Sequence, residues 1–122
     1  MTQETRVLYV DDEDALRELV KSQLEVEGYN VETADDGDTG IAMLGKQTFD
    51  VVLLDMRMPR VNGIEVLKHI RGKKIPSRVI VLTAVDDLSV AIEAVKNGAN
   101  DYMTKPYDLA ALISSIQRVL SK

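Results

Sequence analysis

The 122-residue chain predicts a doubly wound α/β domain, a five-stranded parallel sheet with helices on both faces. Two observations carry that prediction. Short apolar runs alternate five times with longer stretches of helical periodicity, and right-handed crossovers turn that order into a parallel sheet covered on both sides. The runs themselves, such as Val51-Val52-Leu53-Leu54, lack the apolar-polar alternation of a half-exposed strand, as expected for central strands buried on both faces.

The first strand is Arg6 to Val10, and it runs into Asp11-Asp12-Glu13-Asp14. One acid there suits a helix cap and another the positive end of the helix dipole, but a run of acids exceeds what capping needs. Leu16, Leu19, Val20 and Leu24 then form an apolar helical stripe that stops at Gly28, a C-terminal capping residue. A second strand covers about Asn30 to Thr33. Asp35-Asp36-Gly37-Asp38 lacks the alternating ligands and distant Glu of a calcium loop and reads as a turn with an N-cap. Ile41 and Leu44 give the next helix a minimal apolar face. Gly40 and Gly45 each weaken it by roughly 1 kcal/mol relative to Ala, so it is expected to be the least stable helix.

The third strand begins after Phe49-Asp50 and ends abruptly in the carboxylate of Asp55. Pro59 to Gly63 read as a loop, and Ile64, Leu67 and Ile70 recur at helical spacing. Arg78 to Leu82 is the fourth strand and ends in Thr83-Ala84; Asp86 and Asp87 open a helix that runs to the cap signal Asn97-Gly98. A short fifth strand about Asp101 to Met103 leads to Thr104-Lys105-Pro106, and Asp108 caps a last helix bearing Leu109, Leu112, Ile113, Ile116 and Leu120.

Composition narrows the function classes. Cysteine is absent, which excludes disulfides, thiolate zinc sites and Cys catalysis, and the single histidine, His69, cannot build a nitrogen-rich metal site. Any metal must therefore be held by oxygen. The formal charge of -5 argues against direct nucleic-acid binding by this domain, since phosphate binding needs clustered Lys and Arg. No apolar run approaches the ~20 residues that span a bilayer, and no leader-like pattern opens the chain. One soluble cytoplasmic domain over residues 1–122, without a membrane partner, is the expectation.

The strand ends carry the chemistry. In open parallel sheets ligands bind outside the carboxyl ends of the strands, and here those ends bear Asp11 and Asp12, Asp55, Thr83 and Lys105. Three carboxylates brought to one edge repel each other unless a cation sits among them. With few ligands, all of them oxygen, the natural occupant is a hard divalent ion such as Mg²⁺, which keeps several waters and bridges readily to phosphate. A carboxylate, a divalent ion, an ammonium and a hydroxyl together suit phosphoryl transfer. An Asp can itself accept the group as an acyl phosphate; Asp55, on the central strand, is assigned that role, and Asp11 and Asp12 the metal.

At these residues the chain resembles the CheY-like receiver domain of bacterial two-component response regulators. The resemblance rests on Val10-Asp11-Asp12, Leu54-Asp55 with Met58-Pro59 and Gly63, Thr83-Ala84, Gly98-Ala99-Asn100-Asp101-Tyr102 and Lys105-Pro106, which cover nearly the whole chain in order. It implies a flavodoxin-like sheet of strand order 2-1-3-4-5. It implies that Asp55 takes a phosphoryl group from a phosphohistidine on a histidine kinase or histidine phosphotransfer protein. Asp12 and Asp55 would ligate Mg²⁺ with the backbone carbonyl of Arg57, Asp11 would act through water, and Lys105 would bind a phosphoryl oxygen before a cis Lys105-Pro106 peptide. Thr83 and Tyr102 would form a switch that reports to a downstream effector or output domain. Such a protein is no enzyme beyond its own phosphorylation and dephosphorylation. Gly40 departs from the usual Ala, and Arg57 and Val85 occupy variable positions linked in the family to dephosphorylation rate.

Other readings fit less well. A haloacid-dehalogenase-like phosphatase needs a second acid two residues after its nucleophile, where Arg57 stands. A dinucleotide or P-loop binder needs a glycine-rich turn where the acids Asp11 to Asp14 lie. A phosphorylation-independent docking module would be expected to have lost part of the site. Taken alone, Thr83 reads as a helix N-cap, Tyr102 as a half-buried aromatic, His69 as a structural or solvated residue, and Met56 and Met58 as gap-filling side chains. Leu88, Ala91, Ile92 and Val95 give the fourth helix a wider apolar face than one sheet contact needs. Part of that face, Ala91 and Val95 included, with Tyr102 and the last helix, is the expected output or homodimer surface.

Overall fold

A computed structural model describes residues 4–58, 60–84 and 86–121. The expectations placed on Pro59, Val85 and Lys122 lie outside the described residues. The elements run β1 (Arg6–Val10), α1 (Asp14–Val26), β2 (Asn30–Ala34), α2 (Gly37–Lys46), β3 (Val51–Asp55), α3 (Gly63–Gly72), β4 (Arg78–Ala84), α4 (Leu88–Lys96), β5 (Asp101–Lys105) and α5 (Leu109–Leu120). All neighbouring strands pair in parallel in the order β2-β1-β3-β4-β5, the order that the resemblance implied.

The unbroken apolar runs do what their pattern predicts. Every residue of β3 is buried, because side chains alternate between two covered faces. Val7, Tyr9, Val51, Leu53, Ile80 and Leu82 face one core with Val20 and Leu24 of α1 and Leu112, Ile116 and Val119 of α5. Leu8, Val10, Val52, Leu54, Val79 and Val81 face the other with Leu44, Val66, Leu67, Ile70 and Ala94 from α2, α3 and α4. Met56 and Met58 belong to this second core, as gap-fillers should.

Several boundaries differ from the sequence reading. β2 reaches Ala34 and β5 reaches Lys105, because ladder bonding to the neighbouring strand outweighs the polar composition of those ends. α4 starts only at Leu88, with Asp87 at its N-cap. Leu19 is half exposed and Leu120 lies at the rim, whereas Val119 is buried; the apolar stripes of α1 and α5 are narrower and slightly rotated. Glu13 occupies the N-cap of α1 without a side-chain cap bond. Asp36 and Asp108 do cap, accepting from the amides of Thr39 at 2.8 Å and Ala111 at 2.7 Å.

A lattice of polar bonds fixes the end of the sheet opposite the acidic strand ends. The Arg71 guanidinium, on the last turn of α3, donates to the carbonyls of Gly98, Ile75 and Ser77 at 3.0 Å each and to Asn100 Oδ1 at 2.9 Å. Asn100 Oδ1 also accepts the Val79 amide at 2.8 Å. His69 shares that last turn and is half buried, at the far end of α3 from the acids.

Candidate functional site

The site forms where β1, β3, β4 and β5 end. Parallel pairing sets Val10 beside Leu54, Asp55 beside Leu82, and Ala84 beside Lys105, so the residues just past each strand meet at one edge. Asp11, Asp12 and Asp55 each offer an oxygen within 4.8 Å of the other two. Asp11 is fully buried, Asp55 nearly so, and Asp12 exposed.

Each acid is held differently. Asp11 is the most constrained, because its Oδ2 accepts from the Tyr9 hydroxyl at 2.8 Å and from Lys105 Nζ at 3.1 Å, while Oδ1 accepts the Glu13 amide at 2.9 Å. Asp11 thus fixes the approach of the chain to α1 by holding the amide of its N-cap residue. Asp55 Oδ1 accepts the Arg57 amide at 3.3 Å and lies 3.6 Å from Lys105 Nζ. The peptide between Lys105 and Pro106 is cis.

Negative charge is in excess at this edge. Burial pushes the Asp55 carboxyl up to about 6; Lys105 pulls it back, but the neighbouring carboxylates of Asp11 and Asp12 push it up again. Burial works against the Lys105 ammonium, yet Asp55 and Asp11 more than offset it and hold its pKa above the ordinary value. One ammonium does not balance three carboxylates. An all-oxygen donor set with an excess of negative charge fits a hard divalent cation.

Gly63 brings α3 close under this edge. A Cβ there would lie 2.3 Å from Met56 Cε and 2.7 Å from the Asp55 carbonyl oxygen, so only glycine permits the approach. Asn62 and Glu65 close a reciprocal capping box at the same helix start. That box went unread, although Asn three residues before Glu is its usual signal.

Thr83 is buried at the end of β4, with its hydroxyl 3.5 Å from the Asp87 carbonyl; it is a strand residue and not the α4 cap. Tyr102 stands 42% exposed on β5 and is not drawn into the acidic cluster. Arg57 reaches from the β3–α3 loop to form an ion pair with Asp87, so the side chain expected to cap α4 is engaged elsewhere. Tyr9 and Tyr107 also went unread as site residues, and their hydroxyls lie 2.8 Å apart. The signal for Tyr9 was present: it is the aromatic in a strand otherwise aliphatic after Arg6, two residues before Asp11 and so on the same face.

The model of the response regulator receiver domain matches residues 7–117. The chain belongs to that family. Curated relatives include the transcriptional regulatory protein TrcR of Mycobacterium tuberculosis H37Rv, 41% identical over 117 residues that cover 96% of this chain and 46% of the relative. The regulatory protein AtoC of Escherichia coli K12 is 38% identical over 98% of this chain and 26% of its own length. Among solved structures, Vibrio cholerae chemotaxis protein CheY4 superposes with a TM-score of 0.91 at 33% identity, covering 97% of this chain and all (100%) of the other. The Francisella response regulator 1452 receiver domain gives 0.90 at 31%, covering 97% and 98%.

This receiver domain spans about half or less of the length of those curated relatives. Its fold is the CheY-like, flavodoxin-like one, and its function class is two-component phosphorelay signalling. The docking-only alternative is not favoured. No helix among the described residues is long and apolar enough to cross a membrane.

Proposed function

We propose that Asp55 is the phosphoacceptor of a Mg²⁺-dependent receiver domain, with residues 1–122 acting as one unit. The observation that carries this is Lys105 bridging Asp11 and Asp55, at 3.1 and 3.6 Å, beside the open carboxylate of Asp12. A carboxylate oxygen of Asp55 attacks the phosphorus of a phosphohistidine, the P–N bond breaks as the P–O bond forms, and the imidazole leaves carrying the electron pair and takes up a proton. Lys105 turns from Asp11 toward a phosphoryl oxygen and offsets the incoming charge. The hydroxyl of Thr83, weakly held at 3.5 Å, moves to another phosphoryl oxygen, and Tyr102 follows into the space released.

Asp12, Asp55 and the backbone carbonyl of Arg57 would hold Mg²⁺, with Asp11 reaching it through water. Once bound, the ion would relieve the repulsion among the acids and spread the charge of the phosphoryl oxygens. The phosphoryl donor is a histidine kinase or histidine phosphotransfer protein, the setting is the cytoplasm, and the receiver performs no catalysis beyond its own phosphorylation and dephosphorylation.

The switched surface is α4, β5 and α5, which controls an effector or output domain or a homodimer. Among the described residues its exposed large apolar side chains are Leu88, Ile92, Val95, Tyr102 and, at the rim, Leu120. Ala91, expected on that face, is fully buried against the sheet and serves the core.

Incubation with acetyl phosphate, with and without Mg²⁺, followed by intact mass of wild type and Asp55→Asn, tests the assignment. A Mg²⁺-dependent gain of one phosphoryl group, absent in the variant, is expected. Phosphorylation of the variant to the same extent would move the acceptor elsewhere.

A further inference from the structure

Tyr9 is among the largest fully buried side chains, and packing alone asks for phenylalanine at such a place. A buried phenol needs a partner, and its hydroxyl has two. It lies 2.8 Å from Asp11 Oδ2 and 2.8 Å from the Tyr107 hydroxyl. A carboxylate only accepts, and each phenol has one proton. The Tyr9 proton therefore points to Asp11, and the Tyr107 proton to Tyr9. The result is a directed chain from the β5–α5 connection, through the core, into the acidic cluster.

Asp11 Oδ2 has two side-chain donors, Tyr9 and Lys105. Lys105 is also shared with Asp55 and, in the reading given above, is called away to the phosphoryl group. Tyr9 has no such second duty toward the site. We propose that Tyr9 is a positioning residue that holds the Asp11 carboxylate in its metal-facing orientation, and that Tyr107 is the outer link that orients Tyr9. The inference rests on Asp11, Asp12 and Asp55 being the Mg²⁺ site.

Groups hydrogen-bonded behind a metal's ligands typically change affinity 10- to 100-fold when removed. Mg²⁺ affinity is read by amide chemical-shift titration with MgCl₂ alone, on wild type, Tyr9→Phe, Tyr107→Phe and the double variant, each checked for unchanged amide shifts away from the site. Because Asp11 reaches the ion through water, Tyr9→Phe is expected to weaken Mg²⁺ by somewhat less than about 10-fold, Tyr107→Phe to weaken it less, and the double variant to match Tyr9→Phe, because the outer link acts only through the inner one. In an Asp11→Asn background, Tyr9→Phe is expected to add nothing.

A role confined to packing would leave Mg²⁺ affinity unchanged in both single variants and would overturn the proposal. So would independent, multiplying effects of the two substitutions. Tyr107 is only partly buried, so Tyr107→Phe gives a reading even if Tyr9→Phe does not fold, and unchanged affinity there removes the outer link. A wild type that binds no Mg²⁺ would overturn the metal site beneath the inference, an outcome distinct from binding that ignores the tyrosines.

Discussion

Asp55→Asn should make the metal-free protein more stable, and the gain should depend on pH. The Asp55 carboxyl rises from the ordinary 3.8 to about 6 in the fold, a difference of roughly 2 pH units. At ~1.36 kcal/mol per unit, ionised Asp55 costs the folded state about 3 kcal/mol. The sign follows from proton binding. Below pH 3.8 both states hold the proton and nothing is lost. As pH rises toward 6 the unfolded chain releases its proton first, so wild-type stability falls, and above that the penalty stays constant. Asparagine never ionises. Urea unfolding followed by circular dichroism in EDTA from pH 4 to pH 8 should show the two proteins converging at the acid end. The variant should be ahead by about 3 kcal/mol at pH 8. Adding Mg²⁺ at about 100 times its dissociation constant should return about 2.7 kcal/mol to wild type and less to the variant. A stability difference independent of pH, or a variant less stable at pH 8, would refute the argument that burial, with the neighbouring acids, penalises ionised Asp55.

Three further outcomes follow from local geometry. Gly45 is exposed on α2 with open space where a Cβ would stand, so Gly45→Ala should raise the urea midpoint by up to about 1 kcal/mol in stability. Gly63→Ala should do the reverse, losing about 1–3 kcal/mol, because its Cβ would meet the backbone of Asp55 and Met56; the same titration reads it. Burial alone would raise the Asp101 carboxyl, but Ser115, Arg118 and the Tyr102 amide outweigh it and hold it below 3.8. Its contribution is therefore present above pH 3.8 and lost as pH falls through the lower folded value. Asp101→Asn should be destabilised at pH 7 by about 1.5–3 kcal/mol and should lose less than wild type on acidification.

The sequence made the sheet legible because β1, β3 and β4 are unbroken apolar runs, whose burial on both faces leaves no other pattern. It was weaker at β5, where Asp101-Tyr102-Met103-Thr104-Lys105 has no apolar signature. Pairing with β4 defines that strand, and no local window contains the partner. The acids, Thr83 and Lys105 could be gathered at one edge because parallel topology fixes which strand ends coincide. What escaped was carried by contacts distant in sequence. The Tyr9–Tyr107 bond joins the first strand to the last connection, and the Arg57–Asp87 pair joins two loops. Ala91 was misassigned for a related reason, since helical periodicity tells which residues share a face but not how far that face tilts into the sheet.

Arg71 divides the molecule into a riveted end and a free one. Its guanidinium ties the approach to β4 and the α4–β5 turn to the end of α3, and Asn100 closes the same joint from the other side. At the opposite edge, the Thr83 hydroxyl lies 3.5 Å from the Asp87 carbonyl, the Asp87 amide donates to the Ala84 carbonyl at 2.9 Å, and the exposed Arg57 guanidinium pairs with the largely buried Asp87 carboxylate. The root of β4 is held by more and shorter bonds than its site end, so amide exchange should run slower at Val79 and Asn100 than at Asp87. A displacement started at the strand tips is then expected to reach α4 more readily than the root of the sheet that Arg71 and Asn100 hold.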